Sequence, residues 1–385
     1  MMTVRVDVAP PLLAWAVQRA GLDSDAVTRK FSKFPQWVSG EHAPTLKQLE
    51  EFARVTRTSI GYFFLPEPPD EKIPIPDLRT VGDRGIQQPS PDLLDTIYQC
   101  QQRQDWYSEY ARSIGLDPIP QVGSMSMTTT VKEAAAVITS EMEFTVKRRG
   151  SNWSEAFGYL RDKAEDSGVL VMVSGVVGSN TRRKLNPAEF RGFALTDSLA
   201  PLVFVNGADT KAAQIFTLAH ELAHIWMGES ALSDTDLTTQ ATHQVERWCN
   251  GVAAEILVPL EALKSDFDDR ANLTDELNRL ARQFKSSTLV VLRRIHEAEF
   301  LNWDDYLRAY RAESERVREL ASSTGVSGGG GDFYNTQPAR VGKRFARSVI
   351  VSTLEGRTLY TEALQMLGVK KLATFNQMAE RLGVM

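Results

Sequence analysis

A chain of 385 residues, 42% of them hydrophobic, is long enough to bury two or three cores, which excludes disorder of the whole. It has no run of eighteen apolar residues, and Met1 to Pro10 lacks the basic and apolar regions of a signal peptide, so a cytoplasmic protein with no membrane contact is predicted. The net charge of -5 divides into mildly basic ends and a middle, residues 67–331, with 28 basic and 39 acidic side chains that would repel a nucleic-acid backbone.

From Pro11 to Leu65 short amphipathic patterns alternate with turn signals. Leu12, Leu13, Trp15, Ala16 and Ala20 predict a first helix stopped by Gly21, and Asp23 or Ser24 caps a second through Arg29. Thr45 caps another running to Val55, and Thr58 one that enters Tyr62-Phe63-Phe64. With Trp37, Gly40, Pro44-Thr45-Leu46 and Leu49, residues 1–66 resemble helix-turn-helix repressors of the phage Cro and CI type, the XRE family. The resemblance implies a recognition helix before Trp37. Only Phe31-Ser32-Lys33-Phe34-Pro35-Gln36 stand there, and a proline breaks a helix interior. The expectation is a degenerate domain that reads DNA poorly and serves packing or a partner.

Leu65 to Pro76 is a proline-rich, semi-rigid connector. It opens a segment, 67–149, of linker and scaffold helices, with helical patterns at 91–114 and 131–142 and a further one at 153–164. Strands are predicted at 169–173, 190–196 and 201–206. The last could offer an edge to which an extended peptide adds main chain to main chain, in which case Phe204→Pro should raise the peptide KM.

Ile215 to Met227 reads as one apolar helix carrying His220-Glu221-Leu222-Ala223-His224. Residues four apart share a helix face, so both imidazoles address one metal ion. Glu221 is rotated away from that pair but reaches a water on the ion, as a hydrolytic zinc site requires. Two histidines leave the ion one protein ligand short. Glu246, 22 residues after His224 and on the helical pattern 242–257, is the first choice. His243 competes for the place, with Glu229 and Asp234 as outside candidates. Asn250, one turn beyond Glu246, is placed to hydrogen-bond a ligand imidazole or the site backbone. Ser230 stands where a third histidine six residues after the motif would fall, which excludes that variant. The plain alternatives are packed histidines and a surface carboxylate; the spacing with a glutamate between favours metal. Cys249 and Cys100 read as packed thiols, Trp226 and Trp248 as core.

Beyond the site, helices at 273–284 and 287–298 have a second helix-turn-helix shape. A charged helix follows from Trp303 to Leu320, then a glycine-rich hinge at 322–331 and a basic helical C-terminal domain at 332–385, with helices at 338–355, 358–367 and 371–382. Phe333 and Tyr334 fit either a lid over the cleft or a tether. Tyr334, His243 and Tyr360 are the candidate donors to an oxyanion.

Phe190-Arg191-Gly192-Phe193, Pro201 with Val205-Asn206, Phe216 through His224, and Glu246 through Asn250 to Pro259 together resemble the ImmA/IrrE metallopeptidases, which are similar to the gluzincins. The resemblance spans 150–300, within a peptidase domain placed at 150–321. It implies an α+β, mostly α fold and a zinc-type endopeptidase with ligands His220, His224 and Glu246 and catalytic Glu221. Family members cut helix-turn-helix repressors or act beside toxin-antitoxin loci, so the implied partner is a regulatory protein of that kind. Zn2+ suits the nitrogen and carboxylate set, and Mn2+ or iron would accept it. The competing reading is an antitoxin-like or regulatory module that binds a partner or DNA around a structural metal site. Glu221 beside an open coordination position favours the enzyme, because a structural zinc fills its fourth place with protein.

Overall fold

The computed structural model describes residues 4–77, 89–233, 244–323 and 333–384. Within them the chain is mostly helical with a small mixed sheet, an α+β fold as expected. It divides into two compact units, Met1–Pro74 with Asp83–Tyr98, and Ile75–Gly82 with Gln99–Met385.

The first unit holds α1 (Pro10–Arg19), α2 (Ser24–Lys30), α3 (Phe34–Val38), α4 (Leu46–Thr56) and a 3-10 turn at Ile60–Phe64. Its helices start where side chains satisfy orphan amides. Asp23 accepts from the Asp25 amide, and Thr45 and Gln48 form a reciprocal capping box. Thr58 does not cap the last turn; its hydroxyl donates to the Thr56 carbonyl, and Ser59 precedes the turn with no side-chain cap. Phe52 centres the core, with the rings of Phe31, Phe34, Trp37 and Phe63 at 5.5 to 6.1 Å. Pro35 breaks nothing. It lies in the first turn of α3, where a missing donor has no cost. This five-residue helix buries Phe34 and Trp37, so its apolar side chains serve the core.

After α5 (Pro91–Ser113), α6 (Val131–Glu141) and α7 (Trp153–Asp166), the chain builds β1 (Leu170–Ser174), β2 (Gly192–Leu195) and β3 (Leu202–Asn206). α8 (Lys211–Met227) then leads to β4 (Ala231–Ser233) and α9 (Gln244–Leu257). The sheet order is β1-β3-β2-β4, with β1 and β3 parallel and the other pairs antiparallel. Both faces are buried. Val171, Ala194, Val203 and Val205 join the core around α8, while Phe193 and Phe204 stack at 5.0 Å on the strands' other side-chain set.

β3 is therefore an interior strand, bonded on both sides, and cannot receive an added peptide. The expectation failed because pairing order is a long-range property that a strand's own residues do not carry. The outer side of β4 is engaged as well: the Leu232 amide donates to the Pro76 carbonyl at 2.9 Å, and Asp77 bridges Leu232 in parallel. The end of the proline-rich connector is thus a strand partner rather than a spacer.

α10 (Leu260–Asp266), α11 (Leu273–Phe284), α12 (Thr288–Glu297) and α13 (Trp303–Ser323) complete the surround. α11 and α12 bury Leu280, Phe284, Val291 and Ile295 in the core that holds α8. Asn272 caps α11, its side chain accepting from the Thr274 and Asp275 amides. The expected helix at 338–355 is two, α14 (Phe333–Val341) and α15 (Lys343–Leu354), because Gly342 adopts φ 83 and passes close to the Val171 carbonyl. α14 packs along β1, and α15, α16 (Tyr360–Met366) and α17 (Leu372–Arg381) follow in the same unit, so the C-terminal helices share the sheet's unit. Most of the glycine-rich hinge lies outside the described residues. No helix among the described residues is long and apolar enough to cross a membrane.

Candidate metal centre

α8 begins at Thr210, whose hydroxyl accepts from the Ala213 amide, and every residue from Gln214 to Met227 is buried. A helix apolar all round belongs inside a core, and this one lies against β2, β3, α7 and α9. Its end is held firmly. Gly228, at φ 78, donates to the His224 and Ile225 carbonyls, while the amides of Gly123 and Met125 donate to Ile225 and Trp226. A Cβ on Gly228 would fall 2.9 Å from the Gly123 Cα, so only glycine allows the two segments to meet.

One turn apart on this helix, His220 and His224 turn their Nε2 atoms toward each other at 3.2 Å. α9 brings Glu246 to both: Oε1 is 3.1 Å from His224 Nε2 and Oε2 is 3.3 Å from His220 Nε2. All three residues are at most 1% exposed, and their ligating atoms lie within 4.8 Å of one another. A tetrahedron with bonds near 2.0–2.1 Å has edges of about 3.3 Å, so these spacings are those of three ligands around one zinc-sized ion. Burial pushes His224 below its usual value, which keeps the ring neutral as a metal ligand must be. Burial opposes ionisation of Glu246, but His220 and then His224 bring its carboxyl down to about 2, so the third donor is a carboxylate. Two imidazole nitrogens and one anionic oxygen fit a dication and leave a fourth position for water.

Glu221, fully buried on the same helix, lies against β2. A Cβ at Gly192 would stand 3.2 Å from Glu221 Oε1, 2.4 Å from Thr217 Cγ2 and 2.7 Å from the Phe204 carbonyl. The glycine is what makes room for the carboxylate. Sequence reasoning assigned it no role, although a lone glycine beginning a strand of bulky residues signals close approach. Phe216, named above only as part of the motif, also touches the site; its ring stacks on His220 with centroids 6.4 Å apart.

The remaining candidates are not brought to this cluster. Asn250 is buried on α9, but its Oδ1 has no hydrogen-bond partner among the described residues, so it does not orient a ligand ring through that atom. Glu229 is exposed and outside the cluster. Tyr334 falls in the first turn of α14, and its side chain lies outside the described residues. Tyr360 opens α16 and packs on Phe375. Tyr360 is thus engaged in the packing of the C-terminal helices. His243 and Asp234 lie outside the described residues. Cys249 is fully buried and its thiol is pushed well up by burial, then by Glu246 and Glu221, which makes it packing rather than a reactive group.

No curated protein matches the chain. Residues 341–381 match a family described as a domain of unknown function, DUF8813. Residues 164–296, which contain β1 to β4, both histidines, Glu221 and Glu246, match the IrrE N-terminal-like domain of the M78 peptidases, and the centre of the chain is therefore similar to an ImmA/IrrE metallopeptidase domain.

Proposed function

We propose that the protein is a metal-dependent endopeptidase that cleaves a specific regulatory protein, a helix-turn-helix repressor or a toxin-antitoxin partner. The observation that carries this reading is the buried triangle of His220, His224 and Glu246 with spacings of 3.1 to 3.3 Å, beside Glu221 on the same helix. A divalent cation held there, Zn2+ in the first instance with Mn2+ as the substitute, supplies Lewis acidity and lowers the pKa of water toward about 7.

The chain's own residues supply the rest. His220, His224 and Glu246 hold three positions and leave one open. Glu221 takes the proton of the attacking water and passes it to the leaving amine nitrogen, a role worth about 10²- to 10⁴-fold in rate. The apolar walls around it, from β2 and α8, keep bulk water from competing for that proton. The five-residue α3, with its apolar side chains in the core, supports a partner-holding role for the first unit over base reading.

The test is co-expression of the wild type or Glu221→Gln with the proteins encoded beside its gene. A fragment formed by the wild type and lost in both Glu221→Gln and His220→Ala is expected, with metal content unchanged in Glu221→Gln. A stable uncut complex with wild type and mutant alike would replace the peptidase with a partner-binding module.

A further inference from the structure

A basic surface lies where the hairpin after β1 meets the turn between α16 and α17. The hairpin spans 175–185. Its arms are joined by the bridge of Val176 with Lys184 and by the Val177 amide, which donates to the Arg183 carbonyl at 2.9 Å. Side chains alternate along the returning arm: Leu185 is buried and Arg183 half-buried, whereas Arg182 and Lys184 face solvent. At the tip, the Ser179 hydroxyl donates to the Gly368 carbonyl at 2.8 Å, and Gln337 donates to both Ser179 and the Leu367 carbonyl. A Cβ on Gly368, which adopts φ 64, would stand 2.6 Å from the Ser179 hydroxyl, so the glycine lets the two turns lock together.

Just past Gly368 the chain presents Lys370 and Lys371, both exposed. Arg182, Lys184, Lys370 and Lys371 form no ion pair with any described residue. The reach of the chain from the Ser179–Gly368 contact, at about 3.3–3.6 Å per residue, sets all four within one turn of a DNA duplex, about 34 Å. The carboxylates of the two helices, Glu362 in the first turn of α16 and Glu380 in the last of α17, lie at the ends remote from this turn. Glu189, after the hairpin, is half-buried and engaged. α17 itself buries Phe375, Met378 and Ala379 and turns Leu372, Ala373 and Asn376 to solvent from its N-terminal half. The rings of Tyr360 and Phe375, 5.4 Å apart, hold the two helices to each other.

We propose that this surface binds duplex DNA, with the N-terminal half of α17 in the major groove and Arg182, Lys184, Lys370 and Lys371 on the phosphates beside it. Unpaired cations on two interlocked elements supply the backbone contacts that position a protein on a duplex. Asn376 is the side-chain type that reads adenine, and Leu372 and Ala373 offer apolar contact to a thymine methyl. The major groove of B-form DNA admits a helix, whereas that of duplex RNA is too deep and narrow for side chains to read. α15, α16 and α17 make up most of residues 341–381, so the domain of unknown function acquires a role in nucleic-acid binding. The inference does not rest on the peptidase reading.

The experiment is fluorescence anisotropy of the full chain on a labelled DNA duplex of mixed sequence, between about 50 and 200 mM NaCl. Four phosphate contacts give a slope of about -3.6 in log K against log salt, at about -0.9 each. Lys370→Gln with Lys371→Gln, and separately Arg182→Gln with Lys184→Gln, should each weaken binding at least about tenfold at the lower salt and make the slope shallower by about two. All four side chains are exposed, so melting midpoint and metal content should stay at wild-type values, and Glu221→Gln should bind as the wild type does. No binding at the lower salt up to about 100 µM protein overturns the proposal, since even non-specific binders reach that affinity. Full affinity and slope in either double variant overturns it as well, because the DNA would then not span hairpin and turn. Binding to phosphatidylserine vesicles in place of DNA overturns it in favour of a membrane surface, with the exposed Leu359 and Leu372 as its apolar groups.

Discussion

Gly192 shows how much one missing Cβ decides. Adding it would set a carbon 2.4 Å from Thr217 and 2.7 Å from the Phe204 carbonyl, one of them backbone that cannot yield. Gly192→Ala is expected to cost about 1–3 kcal/mol through overpacking and to displace Glu221, so that turnover falls while metal content holds. Denaturant midpoints and metal analysis check the two halves separately. Arg149 is a second residue on which much depends. Its buried guanidinium donates to the carbonyls of Ile256 and Leu257 at the end of α9 and of Phe284 at the end of α11, and it lies over the Phe144 ring at 4.7 Å. Burial lowers it to about 9, which leaves it charged at neutrality and so able to serve helix C-terminal ends. Arg149→Met should cost about 3 kcal/mol or more, read as a shifted urea midpoint, because three inward carbonyls lose their donor at about 1–3 kcal/mol each. Neither role was legible in the sequence. An arginine among Lys147, Arg148 and Arg149 looks like any surface cation until the fold buries one of the three.

Where α7 meets α15, the stability of the fold is tied to pH. Glu165 is 6% exposed, and burial raises its carboxyl from 4.5 to about 7 against the opposing pull of the Arg344 amide, Arg161 and Lys343, with Asp162 adding to the rise. The folded chain therefore binds this proton more tightly than the unfolded chain does. Stability from this group is greatest below pH 4.5 and falls as pH rises toward 7, by about 3 kcal/mol in all. Glu165→Gln keeps an acceptor for the Arg344 amide and has no charge to bury. Its urea midpoint should exceed the wild type's at pH 8 and approach it at pH 5; an equal gain at both values would contradict the account. Helices and their ends were largely readable beforehand, since Asp23, Thr45 and Ser287 cap as their residue types predict. The errors fell where one residue's backbone angle governs, as at Gly342, or where a proline's position in the turn matters, as at Pro35.

For the whole molecule, an ion bound by His220, His224 and Glu246 would join two core helices, α8 and α9, and stabilise only the folded state. Chelation should therefore lower the melting temperature by several degrees, about 2.7 kcal/mol when free ion had stood 100-fold above its Kd. His220→Ala should melt at the same temperature with and without chelator. What the sequence determined by itself was local: the helical period, most caps, and the four-residue spacing that sets His220 and His224 on one face, all properties of a backbone over a turn or two. The tertiary structure alone decided which acidic side chain meets those imidazoles, which strands are interior, that Pro76 pairs with β4, and that the C-terminal helices share the sheet's unit. Each of these joins residues tens to hundreds of positions apart, and such contacts follow from how whole elements bury their faces together rather than from any stretch's own pattern.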